Sequence, residues 1–136
     1  MAQVSLEEIN IQSPIVDRNL EIILVFSIEK GYCIQSNEPE DEFLIPTIFE
    51  IENCEGLDVG EISFLSDERS VGNAYQNQFS VLIQGKLSRD KVTIEGVVEY
   101  QACDASKCFF PRKTKVGFGV PVYLLVRDRL EMSNVF

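Results

Sequence analysis

The sequence predicts an all-β fold, an antiparallel β-sandwich. Apolar residues recur at every second position along much of the chain, which places one face of a strand on a core. About seven short runs of this kind are separated by turn residues, and no helical pattern of about 10–15 residues lies between them. This combination is typical of two packed antiparallel sheets.

The first strand that the alternation predicts is Leu20–Ile28, and Gly31 ends this run. Residues 35–42 are polar and include a proline, which is typical of a surface loop. The next predicted strand is Leu44–Ile51. Pro46 favours a place at the start of that strand or on a sheet edge, because proline has no N–H to donate to a ladder.

Four further strands are predicted. They are Val59–Leu65, Gln78–Leu87, Val92–Ala102 and Lys115–Val126. The turn residues Ser88–Asp90 separate the second of these from the third. The last strand has the clearest pattern, because apolar side chains alternate along its whole length.

The chain has 136 residues, which fits a single domain over residues 1–136 with a core at about 4–128 and a frayed tail at 129–136. It has 22 acidic and 12 basic residues, a net charge of −10. We therefore expect no nucleic-acid partner. No apolar run approaches the length of about 18 residues that a membrane span needs, so we expect no direct membrane insertion. The start, Met1–Val4, does not have the pattern of a signal peptide.

The sequence has four cysteines and no histidine. Without histidine, Ser-His-Asp and Cys-His nucleophiles, imidazole metal sites and histidine pH switches are excluded. We expect no cofactor. A zinc ribbon usually needs two close pairs of cysteines, whereas Cys33 and Cys54 lie singly, 21 residues apart. A zinc module is thus the least favoured reading of the cysteines.

The other two cysteines, Cys103 and Cys108, are separated by four residues at the place where a strand gives way to a turn. A turn can bring two Cα atoms within the distance of about 4.4–6.8 Å that a disulfide requires. Such a bond can be a structural cross-link in a non-catalytic interaction domain. It can also be reversible, since so short a ring adds only about 2 kcal/mol of stability, and strained or exposed disulfides are those used for exchange.

The charges near this pair suggest different roles for its two sulfurs. Lys107 is adjacent to Cys108 and Arg112 follows closely, which favours a thiolate at the second cysteine. Asp104 is adjacent to Cys103 and disfavours one at the first. We therefore predict that Cys108 forms a mixed disulfide and that Cys103 resolves it. The same basic residues are also compatible with a solvated face.

The run Tyr-Gln-x-Cys-x4-Cys-x-x-Pro, from Tyr100 to Pro111, is followed by a threonine and an alternating strand. It resembles the N-terminal, immunoglobulin-like domains of the DsbD family of thiol:disulfide interchange proteins. Gly31–Asn37 and Leu44–Thr47 are similar to the loop and strand that open those domains. The likeness covers most of residues 20–126 and implies an immunoglobulin-like sandwich.

This resemblance implies a periplasmic thiol:disulfide oxidoreductase that relays electrons. Its redox pair is Cys103 and Cys108, with Tyr100, Lys107 and Pro111 as supporting residues. The partners it implies are thioredoxin-fold proteins or domains, bound through transient mixed disulfides, and a membrane-embedded reductase of the DsbD type.

The resemblance also implies a cap loop at about Ser66–Asn73, which would shield the disulfide and adds Asp67 and Glu68 to the supporting residues. The chain departs from the family here. The cap of the best-known members presents an aromatic side chain, which this segment does not have. Relatives often have histidine in place of Cys33, and a second proline in place of Phe110.

Overall fold

A computed structural model describes residues 3–12, 15–65, 69–70 and 74–121. Within these ranges the chain forms β-strands and no helix, which confirms the all-β prediction. The strands are β1 Val4–Ile11, β2 Asn19–Ile28, β3 Cys33–Gln35, β4 Ile48–Glu55, β5 Leu57–Leu65, β6 Arg69–Ser70, β7 Ala74–Gln76, β8 Gln78–Leu87, β9 Val92–Tyr100, β10 Ala102–Cys103 and β11 Arg112–Val120. In this part of the chain no helix is long and apolar enough to cross a membrane.

Two antiparallel sheets enclose the core. Their strand orders are β1-β2-β8-β5 and β11-β9-β4. Phe26 of β2 stacks on Phe79 of β8 with ring centroids 4.9 Å apart, and its centroid lies 6.4 Å from that of Phe49 in β4. The two sheets therefore face each other, and the prediction of an immunoglobulin-like antiparallel β-sandwich is confirmed. Leucine, isoleucine and valine fill the space between them, at Leu20, Ile22, Leu24, Val81, Ile83, Val92, Ile94 and Val98.

A third, smaller sheet has the order β10-β3-β7-β6 and lies beside this core. Tyr75 of β7 is fully buried and stacks on Phe79 at 5.4 Å. Ile34 of β3 pairs with Ala102 of β10, and both are buried. Side chains alternate between the faces of a strand, so Cys33 and Cys103, each one residue away, lie together on the opposite face. This second face carries the site described below.

Several predicted strand boundaries were wrong, and two of them have a clear cause. The strand predicted at Leu44–Ile51 begins only at Ile48, because the N–H groups before it bond within the preceding loop. That of Leu44 closes a turn by donating to Asp41 O at 3.0 Å, and that of Thr47 donates across the loop to Ser36 O at 3.0 Å. The strand predicted at Val92–Ala102 is divided at Gln101, where the chain leaves the three-stranded sheet and pairs with β3 instead.

The strand β1 was missed because its alternation is interrupted. Its register with β2 shifts between Leu6 and Glu8, so the apolar period changes within the strand. At the other end, β11 is described to Val120. The predicted continuation to Val126 and the tail at 129–136 lie outside the described residues, so the single-domain boundaries stay a prediction.

Candidate thiol:disulfide site

The site is a tight hairpin that joins Cys103 to Cys108. Asp104 N–H donates to Lys107 O at 2.8 Å, and Phe109 N–H donates to Ala102 O at 2.8 Å. These bonds flank the two cysteines, which therefore form a non-hydrogen-bonded antiparallel pair, the kind in which opposed side chains are closest. Their Cα atoms are 3.9 Å apart and a disulfide connects their sulfurs.

The carboxylate of Asp104 holds the turn of this hairpin. It accepts the N–H groups of Ser106 and Lys107, each at 2.8 Å, and the hydroxyl of Ser106 at 3.0 Å. Because the two backbone N–H groups donate to the charged form, the pKa of Asp104 is lowered. This carboxylate thus stabilises the turn. Its hydrogen bonds among the described residues go to Ser106 and Lys107 and to neither sulfur.

The two cysteines of the disulfide differ in their exposure to solvent. Cys103 is only 7% exposed, whereas Cys108 is exposed. The buried Gln35 places its Nε2 3.7 Å from the Sγ of Cys103, where it can donate a hydrogen bond. An incoming thiolate can therefore reach Cys108 from solvent. The sulfur that it would expel, that of Cys103, has an amide donor ready for its negative charge.

The amide of Gln101 fixes the strand that carries the pair. Its Nε2 donates to Phe109 O at 3.3 Å, and its Oε1 accepts the N–H of Ile45 at 3.4 Å. It thereby connects the return arm of the hairpin to the loop between β3 and β4. The roles of Gln35 and Gln101 were not predicted, because their partners lie far along the chain.

Of the predicted supporting residues, Lys107 and Pro111 lie next to the exposed sulfur. They line a shallow depression of about 360 Å³ together with Cys108 and Phe110. The ammonium of Lys107 lies 5.1 Å from the centroid of the Phe109 ring, a cation–π contact. The side chain of Phe110 is 90% exposed and gives this depression an apolar rim.

The other supporting residues are elsewhere or outside the description. Tyr100 is 1% exposed and belongs to the core, at the end of β9. Asp67 and Glu68 lie outside the described residues, as does most of the proposed cap loop. The part of that loop that is described, β6, pairs with β7 in the sheet that carries the disulfide.

The remaining cysteines are free thiols. Burial raises the pKa of Cys33 and, together with the nearby charge of Asp58, that of Cys54, whose Sγ also donates to Leu57 O at 3.4 Å. Cys33 lies directly opposite Cys103 in the register of β3 and β10. Among the described residues, no group of three or more metal-ligating side chains comes together.

The fold is similar to that of several solved structures. One is the N-terminal domain of DsbD from Neisseria meningitidis in the reduced form, with 17% identity, a TM-score of 0.46, and coverage of 79% of this chain and 81% of that one. No protein-family model matches the chain, and no curated protein matches it at a significant level.

Two more structures resemble the chain. The N-terminal periplasmic domain of ScsB from Proteus mirabilis has 16% identity and a TM-score of 0.47, and the match covers 77% of this chain and 41% of that one. The GAE domain of yeast GGA1 has 9% identity and a TM-score of 0.49, with coverage of 83% of this chain and 88% of that one.

Proposed function

We propose that this chain is a thiol:disulfide exchange domain, a periplasmic electron carrier that works through a reversible Cys103–Cys108 disulfide. The observation that carries the proposal is the asymmetry of the pair: one cysteine is exposed, and the other is buried with its sulfur beside an amide donor. A structural cross-link needs neither feature. An exchange site benefits from both, since one sulfur must be attacked and the other must leave.

In the first step a partner thiolate attacks the Sγ of Cys108. A new S–S bond joins the partner to Cys108, the Cys103–Cys108 bond breaks, and the electron pair leaves on Cys103. A second partner cysteine then attacks the partner's own sulfur in the mixed disulfide and expels Cys108 as a thiolate. The partner is oxidised to a disulfide, and the domain is reduced to two thiols that take up protons.

The reverse sequence passes the electrons on. The Cys108 thiolate attacks the disulfide of the next partner, and Cys103 resolves the mixed bond. No histidine is needed, because exchange requires a deprotonated thiol and access to it. The motif resemblance supports thioredoxin-fold partners on the periplasmic side and a membrane reductase of the DsbD type as the electron source. The exposed ring of Phe110 beside the attacked sulfur offers such partners an apolar contact.

Trapping the mixed disulfide tests these roles. The probe is a thioredoxin variant that keeps only its exposed active-site cysteine, activated as a disulfide with thionitrobenzoate. Reduced Cys103→Ser should displace coloured thionitrobenzoate and form a covalent complex through Cys108. Reduced Cys108→Ser should react much more slowly, because its remaining thiol at position 103 is buried.

Cys33 and Cys54 are also thiols, so both trapping variants should carry Cys33→Ser and Cys54→Ser. The variant Cys103→Ser/Cys108→Ser on the same background gives the blank rate. Peptide mapping of the complex identifies the linked sulfur. Equal trapping through position 103 and position 108 would overturn the assigned roles.

A further inference from the structure

A third cysteine lies in line with the disulfide. The pairing of the small sheet places Cys108 opposite Cys103, Cys103 opposite Cys33, and Cys33 opposite Gln76. Directly opposed residues project to the same face of a sheet. The three sulfur-bearing side chains therefore form one row across adjacent strands, with Cys103 in the middle.

The separation within this row suits a second disulfide. Directly opposed residues on antiparallel strands have Cα atoms about 4.5–5.5 Å apart, inside the window of about 4.4–6.8 Å that disulfides occupy. The next two positions along both strands fix the register of this pair: Ile34 lies opposite Ala102, and Gln35 N–H donates to Gln101 O at 3.3 Å. Cys33 and Cys103 also line one shallow depression of about 290 Å³.

We propose that Cys33 is a third exchange cysteine, whose thiolate attacks the Sγ of Cys103 and moves the disulfide from Cys103–Cys108 to Cys33–Cys103. The Cys33–Cys103 bond forms, the Cys103–Cys108 bond breaks, and the electron pair leaves on Cys108. Cys33 gives up its proton and Cys108 takes one up, so the chain stays at the same oxidation level. Displacement at sulfur runs in line, and the row places the attacking and leaving cysteines on opposite sides of Cys103.

This step changes what the domain presents to its surroundings. With the original bond, the exposed Cys108 is a disulfide sulfur and accepts a thiolate. After the shift, Cys108 is a free thiol that can itself attack a disulfide, although no external reductant has acted. Burial raises the pKa of Cys33, so most of this thiol is protonated at neutral pH. The small thiolate fraction slows the shift, and a reaction of the freed Cys108 draws the shifted form off as it forms.

The intact oxidised chain provides the first test. It is incubated with iodoacetamide without reductant, quenched with acid and digested with pepsin at low pH, where thiols are protonated and exchange stops. We expect peptides in which Cys33 is linked to Cys103, together with alkylated Cys108. In the Cys33→Ser variant both products should be lost, while the Cys103–Cys108 peptide remains. Absence of the Cys33–Cys103 peptide from the intact chain would overturn the proposal.

The second test removes the competing sulfur. Cys108→Ser is treated with oxidised glutathione, which the two thiols would reduce to glutathione as the Cys33–Cys103 bond forms. Peptide mapping should then find that bond, and only Cys54 should be alkylated. The matched control, Cys108→Ser/Cys33→Ser, should end with glutathione bound to Cys103 or with a free thiol. Glutathione bound to Cys103 while Cys33 stays free in Cys108→Ser itself would contradict the proposal.

Circular dichroism checks that each variant is folded, and if Cys108→Ser is not, the experiment on the intact chain decides. Failure of the proposed function is distinguishable from failure of this inference. Cys33→Ser keeps Cys103 and Cys108, so it should still exchange with the activated thioredoxin probe after reduction. The bond shift, in turn, is measured without any protein partner.

Discussion

Gln35 should set the rate at which the disulfide opens. Its amide Nε2 is 3.7 Å from the Sγ of Cys103 and is the described donor to that sulfur. As an attack on Cys108 expels Cys103, negative charge develops on the buried sulfur and the hydrogen bond strengthens. Gln35→Leu places an apolar side chain of similar size in the buried position and removes the amide donor. The leaving sulfur then has to accept its charge without this bond.

The size of the effect follows from the energy of a hydrogen bond to a charged group, about 1.5–3 kcal/mol. Only about half of the charge is present in the transition state for exchange, so the barrier should rise by about 0.8–1.5 kcal/mol. Opening of the disulfide should therefore slow by about 4- to 13-fold.

The assay measures the rate at which excess reduced glutathione opens the disulfide, by quenching with acid and counting thiols. Gln76→Leu is the matched control, because Gln76 lies on the same face of the sheet, opposite Cys33, and lines the neighbouring depression. We expect a wild-type rate for Gln76→Leu and a slower one for Gln35→Leu. A rate for Gln35→Leu equal to or above that of the wild type would refute the reasoning.

Three further predictions concern the turn, the core and the rim. The pKa of Asp104 is lower in the folded state than in the unfolded chain, so its carboxylate stabilises the fold at a pH above the unfolded pKa, and this contribution is lost as the pH falls through the folded pKa. The free energy of unfolding in urea should therefore fall less on acidification in Asp104→Ala than in the wild type. An equal fall in both proteins would contradict this. Gly56 has φ +85°, and an added Cβ would lie 2.0 Å from Lys91 O, so Gly56→Ala should lower the free energy of unfolding in urea by about 2–4 kcal/mol. Gly31 has φ +96°, but no atom lies within 4 Å of an added Cβ, so Gly31→Ala should lower it by only about 1–2 kcal/mol. Phe110→Ser should change stability by less than about 0.5 kcal/mol and leave the glutathione rate unchanged, yet slow exchange with thioredoxin; equal slowing with both reagents would argue against a docking role.

The sequence predicts those strands whose alternation of buried and exposed residues is visible within the strand itself. In β2 and β9 buried residues alternate with more exposed ones along the whole strand, and in β8 they do so as far as Ile83, so the pattern is visible residue by residue. In β1 the change of register between Leu6 and Glu8 breaks the period. At Gln101 the chain changes sheets while its residues remain partly or fully buried, which no local pattern reveals.

The site was predictable to the same extent. The spacing of Cys103 and Cys108 is a local property, so their pairing could be anticipated from the sequence. The neighbours of Cys103 on its other side, Cys33 and Gln35, are about 70 residues away along the chain. Their placement depends on the pairing of β3 with β10, which the sequence alone does not specify. The position of Asp104 next to Cys103 in the sequence predicted an effect on the sulfur of Cys103, whereas its carboxylate contacts the turn.

The reduction potential of the Cys103–Cys108 bond tests the central claim most directly. The oxidised chain, in the Cys33→Ser/Cys54→Ser background so that only one disulfide can form, is equilibrated with glutathione buffers of known ratio, and its thiols are counted after an acid quench. An exchange domain predicts a potential between about −120 and −270 mV, the range of known exchange proteins. A potential below about −300 mV would identify the bond as a structural cross-link and contradict the account.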